Sequence, residues 1–211
     1  MRFRFLGPAA LVAILLACGA SDGGGNGGIG PGPDSTVGED SLAFLRPAPT
    51  APAFGVRTVS FWAIRGERTE VRLMYQLKPG QLDSAEFVRF RIDDKTLVSD
   101  SAGNPLAPGD SVRITMSVAD TLRLILEFQP AGLVFNPSKP ARLWIKFGEA
   151  DHDLNEDGVI TAADTTLLLG LKIWKQEQLA EPWSLLASTV DTVSQEVEAD
   201  VAGFTRFAVA Y

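Results

Sequence analysis

Cysteine and histidine are nearly missing from this chain of 211 residues, which has one of each. A single thiol excludes an intramolecular disulfide framework. A single imidazole leaves a Ser-His-Asp triad or a histidine-rich zinc site with almost nothing to be built from. Basic side chains are also outnumbered: 19 Lys and Arg face 26 Asp and Glu, for a net charge of −7. That balance excludes nucleic acid as a partner, because binding phosphates needs a basic surface. The chain has no G-x-S-x-G elbow, no P-loop, no G-x-G-x-x-G after a strand, no C-x-x-C and no H-E-x-x-H. Long hydrophobic runs are missing as well. The longest, Phe5 to Ala17, has about 13 residues, where a membrane-crossing helix needs about 20. What remains is ordinary for a folded domain, with 45% hydrophobic and 21% charged residues.

Arg2 and Arg4 precede the apolar run, which therefore fits the h-region of a secretory signal. The run ends in Leu15-Leu16-Ala17-Cys18 followed by Gly19. These residues resemble the lipobox of bacterial lipoproteins. The resemblance implies a signal peptide over 1–17, cleavage before Cys18, and acylation of that thiol and of the new amino terminus. Two or more acyl chains anchor a protein stably where one does not. It also implies a bacterial cell-envelope location, with the membrane as a partner through the lipid. Gly19, in place of Asp, points to the outer membrane. The bland alternative is a plain signal peptide with an incidental Cys.

Gly19 to Asp40 holds nine glycines and almost no large apolar residue. Such a segment cannot bury enough surface to offset its ordering entropy, and as a flexible coil it spans about 25 Å. Pro47, Pro49 and Pro52 mark a stiffer lead-in. The expected organisation is a lipidated Cys and tether over 18–55 and a folded body over 56–211.

Within the body the dominant signal is alternation with a period of two. Val71, Leu73, Tyr75 and Leu77 form one apolar series; Val88, Phe90 and Ile92 a second; Val112, Ile114, Met116 and Val118 a third. Leu122, Leu124, Leu126 and Phe128 follow, then Leu143, Ile145 and Phe147. Val193, Val197 and Val201 come near the end, before Phe207, Val209 and Tyr211. Turn residues bound the runs, as in Lys78-Pro79-Gly80, Pro108-Gly109-Asp110 and Pro130-Ala131-Gly132. One apolar and one polar face per strand predicts antiparallel sheets. Nine or ten such strands need a second sheet to cover them, so the expected fold is an all-β antiparallel sandwich. Pro130-Ala131-Gly132-Leu133-Val134-Phe135, Lys139-Pro140, Leu143 to Phe147, Trp183 and Gly203-Phe204-Thr205-Arg206-Phe207 resemble the β-sandwich module of ankyrins, netrin receptors and zona-occludens proteins. The likeness covers roughly 86–211 and implies the same sandwich. Some members of that family cut themselves at a His-Phe-Ser site. Gly203 stands in the place of that His, so no self-cleavage is expected.

The one stretch with evident chemistry is 151–164. Counting Asp153 as position one, Asn155, Asp157, Val159, Thr161 and Asp164 fall at three, five, seven, nine and twelve, with Gly158 at six. Alternate oxygen-bearing side chains on a tight curl, with Val159 offering its backbone carbonyl, match the spacing of an EF-hand loop for Ca2+. The plain alternative is an Asx-rich surface turn that binds nothing firmly. The wording D-x-N-x-D-G-x-I-x-x-x-D resembles the dockerin loop. Dockerins carry a second copy, which this chain lacks, and Thr165 stands where they have an apolar residue. The loop therefore reads as a structural calcium clamp inserted between strands. His152 sits between ligand positions and reads as an exposed loop residue. Thr161-x-x-Asp164 predicts a helix cap and a short helix over about 161–168, then a strand over about 170–176.

The expected function is a lipid-anchored, non-catalytic binding or structural module stabilised by Ca2+, with a protein or glycan as a possible ligand. The alternative is a carbohydrate-binding, adhesion or dockerin-like module of a surface polysaccharide system. In that reading Trp62, Trp144 and Trp174 lie on outward faces as a stacking row; the plain alternative is that most of them pack against neighbouring strands or under the loops. A hydrolase using paired carboxylates is a third option. Glu67, Glu70, Asp93, Asp94 and Glu127 are available to it, but nothing singles out a pair.

Overall fold

The computed structural model of the chain describes residues 35–211. The signal segment, Cys18 and the glycine-rich start of the tether lie outside the described residues.

Two antiparallel sheets make up the body. One has seven strands, β1 (Thr36–Val37), β9 (Trp183–Leu185), β8 (Lys172–Gln176), β12 (Arg206–Ala210), β6 (Ile125–Gln129), β5 (Ser111–Asp120) and β2 (Thr58–Ile64), neighbouring in that order. The other has five, β10 (Ser188–Asp191), β11 (Glu196–Val201), β7 (Ala141–Lys146), β4 (Glu86–Ile92) and β3 (Thr69–Met74). The inward series of the two sheets share one core. Ile114, Met116, Phe128, Phe207 and Val209 come from the first sheet, and Leu73, Val88, Phe90, Leu143, Ile145 and Val197 from the second. Phe90, Phe128, Phe135 and Phe204 nest together, with Phe90 and Phe128 ring centroids 4.9 Å apart and Phe128 and Phe204 5.1 Å apart. This sandwich-like all-β arrangement is the one that the alternation predicts.

The runs themselves are corrected in detail. Leu122 and Leu124 continue an apolar alternation but belong to the β5–β6 turn, where Leu124 has φ +50° and Leu122 is exposed. Val193 lies in the β10–β11 turn, beside Gln195 at φ +52°. The two turns are built alike. Asp120 Oδ1 accepts the N–H groups of Leu122 and Arg123, and Asp191 Oδ1 those of Val193 and Ser194. An acid-capped turn closing on one left-handed residue suits a hairpin. Leu77 lies beyond β3 and is exposed. β2 is absent from the alternating series because Trp62 and Ile64, apolar both, occupy its outward positions and blur the pattern.

The folded body also begins earlier than residue 56. β1 pairs with β9, Leu45 is buried, and Leu45 N–H donates to the Val209 carbonyl at 2.9 Å. Phe54 stacks on Tyr75 at 4.9 Å. The reason lies on the outer face of the seven-stranded sheet. Ile125, Trp174, Trp183, Leu185, Ala208 and Ala210 form a second apolar cluster there, and Val37, Leu42 and Phe44 cover it. Residues 35–45 thus act as a strap. Covering this cluster takes the faces of Trp174, Trp183 and Leu185 out of water together with Val37, Leu42 and Phe44, and apolar burial on both sides of the contact is what favours the ordered strap.

Candidate functional site

The connection from β7 to β8 carries the chain from the five-stranded sheet to the seven-stranded one, and the acidic loop lies in it. The loop is pinned at its start: Asp151 N–H donates to the Arg46 carbonyl at 2.8 Å, and Leu154 is buried between half-buried Asp153 and exposed Asn155. The Tyr211 hydroxyl donates to the Leu154 carbonyl, and Arg46 pairs with Glu156 across the loop. Burial raises the Tyr211 pKa.

Three of the expected ligand side chains then fold onto one curl. Asp153 accepts from Asp157 N–H through Oδ1 at 3.1 Å and from Gly158 N–H through Oδ2 at 2.8 Å. Asn155 Oδ1 accepts from the same Asp157 N–H at 3.1 Å, and Asn155 Nδ2 donates to Asp157 Oδ2 at 2.9 Å. Asp157 Oδ1 takes the Val159 N–H at 2.9 Å. One N–H reaching both Asp153 Oδ1 and Asn155 Oδ1 puts these oxygens on the inner side of the same turn. Glu156, at φ +59°, and Gly158, at φ +86°, are the left-handed residues of the turn, and only the glycine takes that conformation without steric cost.

Asp164 does something else. Its Oδ1 accepts from Leu154 N–H at 2.9 Å and Asn155 N–H at 3.1 Å, and its Oδ2 from Thr161 N–H at 2.7 Å and the Thr161 hydroxyl at 3.0 Å. A carboxylate has about four lone-pair sites, and four donors occupy them. These donors, the Thr161 N–H foremost and the Asn155 N–H next, hold its pKa down at about 2. Thr161 and Asp164 form a reciprocal capping box for α1 (Ala162–Leu169), and Asp164 is the only buried residue of that helix. The helix and the following strand β8 fall where the sequence places them. Thr161 spends its hydroxyl on Asp164 and on the Ala163 N–H. Val159 is exposed at the outside of the turn.

Asp153, Asn155 and Asp157 are therefore brought together, while Asp164 clamps the two ends of the loop to one another. Among the described residues no three carboxylate, imidazole or thiol groups gather around one point. The curl instead offers two carboxylates and one amide oxygen, an all-oxygen set of the kind that suits a hard cation. His152 is half-buried rather than exposed. Its Nε2 lies 3.1 Å from the Phe147 carbonyl and its ring beside that of Phe147. Sequence reasoning passes over Leu154, Arg46 and Tyr211, which fix the loop. An apolar residue at the second position of an acidic loop is the one local sign of that anchoring.

The tryptophan row is not formed. Trp144 faces outward from β7 but lies beneath the guanidinium groups of Arg89 and Arg91, 4.5 and 5.1 Å from its centroid. Trp174 lies beneath the strap. Trp62 alone of the three reaches solvent, 60% exposed. Of the carboxylates available to a hydrolase, Glu70 pairs with Arg68 and Arg72 and Asp93 with Arg68 and Arg91, while Glu127 accepts from the Gln129 amide. No family model, curated protein or solved structure matches the chain.

Proposed function

We propose that this protein is a cell-envelope binding or structural module, held at the membrane through lipid on Cys18, whose loop between the two sheets takes a calcium ion. The observation that carries the calcium reading is the shared curl of Asp153, Asn155 and Asp157 around Gly158. These side chains are held in a turn before any ion arrives, so binding costs little ordering. The Val159 carbonyl is the next ligand in the expected order, and Thr161 joins it by releasing the hydrogen bond from its hydroxyl to Asp164. Asp164 closes the loop, by holding residues 154, 155 and 161 on one carboxylate or by exchanging a hydrogen bond for the ion. With few charges in the set, affinity belongs in the weak, extracellular range of about 10⁻⁴–10⁻³ M. The role is mechanical: the ion stiffens the crossing between the sheets at the place where strap, loop and C-terminal strand meet. The lipobox residues Leu15 to Cys18 support the location, and the sandwich is the body presented there.

Calcium stabilises only as far as it prefers the folded loop. At about ten times its Kd the gain is roughly 1.4 kcal/mol, a rise in Tm of about 3–6 °C. Asp157→Ala is expected to abolish that rise while leaving Tm in chelator within a degree or so of wild type. A melting curve that millimolar calcium leaves unmoved removes the site. Labelling of Cys18 by a radioactive fatty acid in a bacterial host, lost in Cys18→Ala, tests the anchor separately.

A further inference from the structure

We infer that the free edge of β2 is a pairing surface on which a second copy of this chain docks, β2 against β2 in antiparallel register. Four strands end the two sheets, and three of them are blunted. β1 has two residues and β10 four. β3 presents the charged pair Glu70 and Arg72 and a register shift at Leu73/Met74, and Gly55 and Gln76 bind the lead-in to its end. Short length, charge and irregularity are the devices that keep sheet edges from pairing. β2 has none of them. It runs for seven residues, Thr58 to Ile64, without Pro, without a charged residue and without a break in its register with β5.

The direction of its backbone groups follows from the bonds at its two ends. Val118 N–H donates to the Arg57 carbonyl at 2.8 Å, and Arg65 N–H to the Asp110 carbonyl at 2.8 Å. Odd-numbered residues of β2 therefore bond to β5. The N–H and C=O groups of Thr58, Ser60 and Trp62 point the other way, and among the described residues no backbone group meets them. The same residues carry the exposed side chains of the strand, and Trp62 is the one exposed aromatic among the described residues. An open ladder and an uncovered indole thus coincide on one strand.

A second copy fits this edge because the edge is complementary to itself. With Ser60 on the two-fold axis, Thr58 of each copy lies opposite Trp62 of the other, so each indole covers a small hydroxyl side chain. Arg57 then lies opposite Ala63 rather than another cation. The contact is isologous and closed, and it joins two seven-stranded sheets without leaving a new edge at the junction. One strand pair and two tryptophans cover less than the roughly 1,600 Å² of a standard interface, so the dimer is a weak one that dissociates in the micromolar range.

Sedimentation velocity of the purified protein across the micromolar range tests this. The expected result is a concentration-dependent shift from monomer to dimer, with Trp62 emission moving to shorter wavelength as the dimer forms. Trp62→Lys places a charge on the edge and is expected to give monomer throughout, with far-UV dichroism and Tm unchanged. Ser60→Pro removes an N–H that faces away from β5 and is expected to do the same. A wild-type chain that stays monomeric at all concentrations overturns the inference, and so does a dimer that well-folded Trp62→Lys leaves intact.

Discussion

The two faces of the seven-stranded sheet solve the same problem differently. Its inner face lies against another sheet, and Phe128 and Phe207 are fully enclosed there by residues that obey the same two-residue period. Its outer face is divided. Over β8, β9 and β12 it carries Trp174, Trp183, Ala208 and Ala210, sealed by a strap whose regular structure is only the two-residue β1 and one 3-10 turn, Glu39–Ser41. Over β2 and β5 it is open, with Ser60 and Thr115 sharing a hydrogen bond of 2.8 Å beside bare Trp62. A strand that is apolar on both sides therefore announces a cover from elsewhere in the chain. In this molecule the cover is a segment whose composition reads as linker.

The difference between the faces can be broken by substitution. Phe128→Ala in the enclosed core is expected to cost about 3–5 kcal/mol, since sheet on sheet cannot close over the void. Trp183→Ala beneath the strap is expected to cost about 2–3 kcal/mol, because an irregular segment can settle into the space. Urea melts of the two variants give the order, and an inverted order erases the distinction. Phe44→Ala, which removes the ring set edge-on to Trp183 at 5.3 Å, is expected to cost about 1 kcal/mol and to open residues 35–45 to proteases before the sheets unfold. The loop differs from both faces in depending on pH. The depressed pKa of Asp164 means that its contribution is complete above its ordinary value of 3.8 and is lost as pH falls toward about 2. The stability gap between wild type and Asp164→Asn is therefore expected to close over that interval in thermal melts, while the Phe128→Ala gap persists.

The inner face was legible because burial on one side imposes a period of two, and Val88-Phe90-Ile92 or Val112 to Val118 carry little else. The strap was not legible, because Val37 stands alone among glycine and acid, and the run Leu42-Ala43-Phe44-Leu45 is too short and too close to Pro47 and Pro49 to show a period. Their meaning depends on Trp174 and Trp183, far away in sequence. The acidic loop was legible in its curl, since Asp153, Asn155, Asp157 and Gly158 act within a few residues of one another. The position of Asp164 was legible, but its occupation was not. The same Thr161-x-x-Asp164 spacing serves a twelfth ligand and a capping box, and only the placement of the N–H groups of Leu154 and Asn155 separates the two.

The strap also sets the order of assembly. Its bonds to β12, from Leu45 N–H to the Val209 carbonyl and between Ala43 and Tyr211, join the first described residues to the last. Closing so large a ring early would forfeit chain entropy with no nearby contacts to compensate. The cover can be laid only on a finished sheet, which makes it the final piece to arrive and the first to lift.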